Sequence, residues 1–152
     1  MKLDLDKIKK LRDTTGVSIG DCRAALEKAD GDMDKALKLL KERGAEVAEK
    51  KATRTLGSGL VETYVHAGKV GAMVELACET DFVARTDDFK NLAHELAMQV
   101  ASMDPKDVTE FESQDYIRDP SRKVKDLVTD AIGKIGENIV IKKFVRFELG
   151  TE

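Results

Sequence analysis

The side chains that could carry chemistry are two histidines, two cysteines and a pair of adjacent acids at a helix start. Their spacing decides against most of it. His66 stands beside a turn signal and His94 within a helical pattern, and neither belongs to a metal-binding spacing such as HExxH. Cys22 and Cys78 lie far apart with no CxxC pair, which argues against a disulfide framework and fits a reducing compartment. Cys78 falls in an apolar alternation, where a thiol acts as a small core residue before it acts as a nucleophile. Ser, His and Asp occur without a G-x-S-x-G elbow. Gly57-Ser58-Gly59 and Gly133-x-x-Gly136 lack the Lys-Ser/Thr that completes a phosphate-cradling loop, so they read as a linker and a helix end. Asp87 and Asp88 occupy the first turn of a helix, where the helix dipole accounts for them. No catalytic residue, metal site or cofactor is expected, and the protein is not expected to be an enzyme.

What remains is a binding feature. In ELACETDFVAR, residues 75–85, a strand-like alternation stops at Asp81, Phe82 and Val83. An aromatic beside a carboxylate at a strand end has two readings. Phe82 could fold back as core beneath the next helix, and Asp81 could bond the backbone of its own turn. Alternatively, the two stand out from the surface and await a partner. Periodicity leaves both open.

Composition bounds the partner. The chain has 152 residues, 41% hydrophobic and 36% charged, enough for a core in one compact domain or two small ones with long solvated helix faces. Net charge is −3, aromatics make up 5% and Trp is missing. Direct nucleic-acid binding, which draws on a basic patch or on stacking platforms, is not expected. The start, MKLDLDKIKK, alternates charge and resembles neither a signal peptide nor a transit peptide. No segment approaches the roughly 20 apolar residues of a membrane span. The expectation is a soluble, cytoplasmic protein without membrane contact.

The elements that would position the tip follow from period and punctuation. Residues 4–44 read as three short amphipathic helices. Leu5, Ile8 and Leu11 stripe the first. The second starts at Ser18 as N-cap, with Asp21 completing a capping-box-like start, and carries Ile19, Cys22, Leu26 and Ala29. The third starts at Asp32, carries Met33, Ala36, Leu37 and Leu40, and should end at Gly44. Residues 45–59 weaken in period and turn Gly/Ser-rich, as a helical extension fading into a linker. Two strand-like runs then flank His66-Ala67-Gly68-Lys69, a hairpin signal. Thr86 caps a helix carrying Phe89, Leu92, Ala93, Leu96 and Val100 up to Asp104-Pro105. Residues 104–121, acidic and holding both prolines, read as an irregular surface connection. A last helix carries Val124, Leu127, Val128, Ala131, Ile132 and Ile135, and a long strand runs from Asn138 to Leu149. The fold class is α+β: a three-helix domain at 1–45, a linker at 46–58, and an α+β core at 59–152 ordered β-β-α-α-β, with helices on one face of a three-stranded antiparallel sheet. The final strand could lie at a sheet edge and pair with a second copy. Lys142, Lys143 and Arg146 are charges of the kind that blunt such an edge.

The run ETDFVAR, Glu79 to Arg85, resembles the second signature of the bacterial elongation factor Ts family, the nucleotide exchange factors of the GTPase elongation factor Tu. LRDTTGVSIGDCRAAL, Leu11 to Leu26, resembles the first signature, in a ubiquitin-associated-like N-terminal domain. KIGENIVIKKFVRFELG, Lys134 to Gly150, is similar to the family's closing helix end and strand. The matches run in order along nearly the whole chain. There are departures: Arg23-Ala24 stands where the family usually has a Lys pair, and Ala77 where a polar residue is common. Many relatives are longer and hold a second core subdomain with a coiled-coil insertion, so this chain resembles a short form.

The resemblance implies that Asp81 and Phe82 reach the GTPase domain of elongation factor Tu, with Thr80 and Val83 supporting the turn, and that Phe82 wedges between two of its helices. The magnesium and phosphate site is thereby disturbed and GDP leaves. It further implies that the N-terminal domain docks on the GTPase through residues 14–18 and the start of the second helix. Val17 and Ile19 would give apolar contact there, with Arg12 and Arg23 as peripheral charges. Ile19 equally fits the bundle core by its spacing. A homodimer could replace the half that longer relatives carry. The competing function is a plain interaction module that binds without remodelling its partner.

Overall fold

Local capping sets the first three helices. Asp4 accepts from the N–H of Asp6 and opens α1 (Leu5–Thr15), which Gly16 closes in the left-handed region at φ 68°. Ser18 accepts from the N–H of Asp21 at 3.1 Å and opens α2 (Ile19–Lys28). The Asp21 carboxylate turns to Arg43 on the third helix, so the expected capping box forms only its Ser18 half among the described residues. Asp32 accepts from the N–H of Lys35 and opens α3 (Met33–Lys51). Ile8, Leu11, Cys22, Ala25, Leu26, Ala29, Ala36 and Leu40 bury against one another as the bundle core. This computed structural model describes residues 4–151; the outermost residues of the expected domain spans, 1–3 and 152, lie outside the described residues.

Two expectations about the bundle are corrected. Gly44 does not end α3: the helix continues to Lys51, and the first part of the expected linker is helical. The reason is tertiary, because Val47 and Ala48 pack against the core of the second domain. Ile19 is not core but 54% exposed, at the first turn of α2.

The second domain centres on a hairpin. β1 (Ser58–His66) and β2 (Val70–Cys78) pair antiparallel, with Tyr64 opposite Ala72. Ala67 and Gly68 turn the chain with φ 51° and 67°, the double positive φ of a hairpin turn that follows strand twist. After the one-turn helix α4 (Asp81–Ala84), Thr86 accepts from the N–H of Phe89 and opens α5 (Asp87–Met103). The C-terminal strand β5 (Val140–Glu148) pairs with the other edge of β2, giving the antiparallel order β1-β2-β5. Between them, α7 (Val124–Ile135) ends at Gly136, φ 88°. The helices cover one sheet face, where Val74, Leu76 and Cys78 meet Phe89, Leu96, Val100, Val124 and Ile132.

Residues 104–121 are ordered, against the expectation of an irregular connection. They hold α6 (Val108–Ser113) and most of a small hairpin of β3 (Asp115–Tyr116) and β4 (Asp119–Lys123). Phe111 is fully buried and anchors α6. Buried Gln99 on α5 accepts from the N–H of Ile117 at 2.9 Å and donates to the Asp115 carbonyl at 3.0 Å, replacing the backbone partners this short hairpin lacks. No helix among the described residues is long and apolar enough to cross a membrane.

Candidate partner-binding tip

The tip forms where β2 runs out of partners. Ladder pairing ends at Cys78 opposite Ser58, and the chain turns at once into α4. Thr80 is extended at φ −130° and its hydroxyl accepts from the N–H of Val83 at 3.3 Å, capping that single turn. Thr86 holds the other end, donating from Oγ1 to the Val83 carbonyl at 2.7 Å. A one-turn helix resting on a core must divide its side chains. Val83 and Ala84 face inward and are buried, whereas Phe82 points out and is 82% exposed, more than any other large apolar side chain described. The reading of Phe82 as core is therefore excluded; Phe89 and Val83 fill that space.

Asp81 is exposed beside Phe82 and accepts a hydrogen bond from the Ser58 hydroxyl at the start of β1. Of the four residues expected at this site, Asp81 and Phe82 are presented to solvent. Thr80, also exposed, caps the turn, and buried Val83 anchors it. Cys78 lies under the turn, fully buried, and its thiol donates to the Thr80 carbonyl at 3.3 Å. Burial pushes the Cys78 thiol above its ordinary value, and the nearby negative charge of Glu137 adds to that. It is a core thiol.

The residues expected on the bundle form a second group. Arg12, in the last turn of α1, is exposed. Val17 is half-buried and packs on the bundle core. Ile19 and Arg23 lie one turn apart on α2, both exposed, with Arg23 bonded to Glu27 at 3.0 Å. Among the described residues no hydrogen bond or ion pair joins this group to residues 80–83. Each is presented separately.

Two features went unread in the sequence. The first is Glu137, between α7 and β5, whose Oε1 accepts from the N–H groups of Glu79 at 3.1 Å and Thr80 at 3.0 Å while its Oε2 accepts from the Thr80 hydroxyl at 2.7 Å. An acid lodged between a helix-ending Gly136 and Asn138 was the available signal. The second is the sheet face away from the helices. Val61 and Val65 of β1, Met73 of β2, and Val145 and Phe147 of β5 are exposed there, on adjacent strands. The available signal was apolar residues two or four apart on one strand face, Val61 with Val65 and Val145 with Phe147.

Comparison with known proteins adds to this geometry. The family model described as Elongation factor TS matches residues 79–152, from the tip through β5. Elongation factor Ts of Thermotoga sp. (strain RQ2) is 43% identical over 194 aligned positions, covering 99% of this chain and 98% of that protein. The Herpetosiphon aurantiacus protein of the same name is 40% identical over 197 positions, covering 99% and 100%. That of Thermoanaerobacter sp. (strain X514) is 39% identical over 189, covering 94% and 93%. The 194 positions of the Thermotoga alignment exceed the 152 residues here, so part of that protein has no counterpart in this chain.

Proposed function

The chain belongs to the elongation factor Ts family of translation elongation factors, and from that premise we propose that it is a guanine-nucleotide exchange factor for elongation factor Tu. On this reading it works in the cytoplasm. It promotes GDP release by inserting Asp81 and Phe82 into the GTPase domain and disturbing the magnesium and phosphate site. The observation that carries the reading is Phe82 itself, an aromatic left 82% exposed on a turn that is fixed at both ends.

The physics of such a site favours a small wedge. Mg²⁺ demands near-ideal octahedral geometry, so a modest shift of a supporting helix weakens its hold. Factor and nucleotide then oppose each other through one coupling free energy, and each weakens the other by the same factor. Fully burying a Phe contributes about 1.5–3 kcal/mol, or about tenfold to a hundredfold in affinity. A stable complex buries about 800 Å² per partner. Phe82 therefore acts as wedge, and other surfaces supply most of the hold. The bundle is the candidate, with Val17 and the exposed Ile19 as apolar contacts and Arg12 and Arg23 at the periphery. Displacing a nucleotide makes and breaks no covalent bond, so this action needs no nucleophile and the protein is proposed not to be an enzyme.

The test is release of a fluorescent GDP analogue from purified elongation factor Tu. Acceleration by the protein that falls about tenfold or more with Phe82→Ala supports the reading. Binding without acceleration would leave an interaction module.

A second copy of the chain is a further proposed partner. The apolar face of the sheet supports it, with Val61, Val65, Met73, Val145 and Phe147 exposed together. Pairing through the edge of β5 is less favoured, because Lys142 and Lys143 are exposed on that strand.

A further inference from the structure

We infer that Glu137 is a positioning residue for the tip: it fixes Thr80 so that α4 forms in the free protein and holds Phe82 outward. The inference rests on the exchange reading and deepens it.

The N–H groups of Glu79 and Thr80 lie just beyond the last ladder pair of β2, so the sheet gives them no partner. One oxygen of Glu137 takes both, at 3.1 and 3.0 Å. Its other oxygen takes the proton of the Thr80 hydroxyl at 2.7 Å. A hydroxyl has a single proton and two lone pairs. With the proton committed to Glu137, a lone pair is left for the N–H of Val83, the bond that caps α4. The carboxylate therefore sets the rotor on which the turn depends.

The contact is returned. The Glu79 carboxylate accepts from the N–H of Asn138 at 2.6 Å, and Arg54 stands 3.6 Å from it. Segments 58 residues apart thus hold each other's backbone through a pair of acids. These are charge-assisted bonds, the stronger kind. A single helical turn does not persist alone, because nucleation is unfavourable. Phe82, at 82% exposure, gains little from packing where it stands. Without Glu137, Phe82 is free to collapse onto apolar surface, and the competent tip becomes a minor population.

Population arithmetic gives the signature. On the exchange reading the bundle makes the main contact, so docking through it is taken to precede insertion of the tip. Where the bundle supplies most of the hold, a smaller competent fraction of docked factor lowers the maximal rate of GDP release, and the concentration for half-maximal effect is still set chiefly by the bundle. A general loss of folded protein does the opposite, since it dilutes the active species without changing its maximum.

The experiment compares wild type, Phe82→Ala, Glu137→Gln and Glu137→Ala in release of a fluorescent GDP analogue across a range of factor concentrations. Glu137→Ala is expected to lower the maximal rate about tenfold, with half-saturation within about twofold of wild type. Glu137→Gln keeps one carbonyl oxygen for the two N–H groups and should fall between, at about threefold. In the free protein, hydrogen exchange at the amides of Glu79 and Thr80 should become fast in Glu137→Ala while Val74 and Leu76 stay protected. A full maximal rate in Glu137→Ala, with Phe82→Ala impaired, overturns the inference and leaves the exchange reading standing. If Phe82→Ala is unimpaired, the exchange reading itself fails and takes the functional half of the inference with it. Amide exchange still decides whether Glu137 orders the tip, and retained protection at Thr80 in Glu137→Ala rejects that.

Discussion

A Cβ placed on Gly133 would lie 2.9 Å from the Cα of Gly44. Here α3, leaving the bundle, crosses α7 of the core with backbone nearly against backbone. Gly133→Ala must therefore push the helices apart, at a cost of about 1–3 kcal/mol in urea unfolding. The reverse substitution is not equivalent, because a Cβ on Gly44 meets nothing within 4 Å. Gly44→Ala should stabilise α3 by about 0.5–1 kcal/mol through helix propensity. Equal losses from the two changes would contradict this crossing.

Phe82 and Val83 are neighbours with opposite duties, and their variants should separate cleanly. Phe82→Ala removes a side chain that is 82% exposed, so unfolding stability should stay within about 0.5 kcal/mol while GDP release suffers. Val83→Ala empties a site that is 5% exposed and should cost about 1–2 kcal/mol. Its effect on release should be no larger than its effect on the folded turn. Thermal unfolding beside the release assay checks both.

That contrast also marks how far the sequence could be read. Ser18, Asp32 and Thr86 are short polar side chains ahead of apolar stripes, and each caps a helix as its pattern implies. The hairpin at residues 66–69 was equally local. Gly44 misled because a glycine near the end of an apolar stripe is a stop signal. What carries the helix past it is the packing of Val47 and Ala48 on a core built from residues far along the chain. Ile19 misled because it has core spacing, yet it falls in the first turn of α2, where its stripe has run past the bundle core. In residues 104–121 order comes from single anchors, Phe111 and Gln99, which leave no periodic trace. The direction of Phe82 was open by periodicity, and only the family resemblance chose outward. Glu137 acts through a contact across 58 residues, beyond any local pattern.

Tyr116 supplies an alkaline prediction. Burial, reinforced by the hydrogen bond it donates to Glu95 at 2.5 Å, raises its hydroxyl from the ordinary 10 to about 12. The folded state therefore favours the neutral phenol. That stabilisation is complete below pH 10, the unfolded value, and is lost as pH rises through about 12. Wild type should lose about 2–3 kcal/mol more stability than Tyr116→Phe across this window. Urea midpoints at stepped pH read the difference, and parallel curves for the two proteins would refute it.

The open sheet face sets the last expectation. Val65 and Phe147 flank Gly71 across adjacent strands, and Thr63 and Val145 flank Met73, so the exposed apolar side chains form one surface. Contiguous apolar patches of this kind mark interaction sites more often than isolated exposed residues do. A symmetric pair would set this face of one copy on the same face of another, and a durable one must bury about 800 Å² on each. Met73 sits at the centre, on the middle strand, and is 46% exposed, so a charge there need not enter the helix-side core. Met73→Glu should convert a dimer to a monomer in light scattering at micromolar concentration, because pairing would bury two like charges together. Lys90→Glu, exposed on α5 and so on the helix side of the sheet, should not. A wild-type monomer at the same concentration would remove the dimer, and a dimer that survives Met73→Glu would move it to another surface.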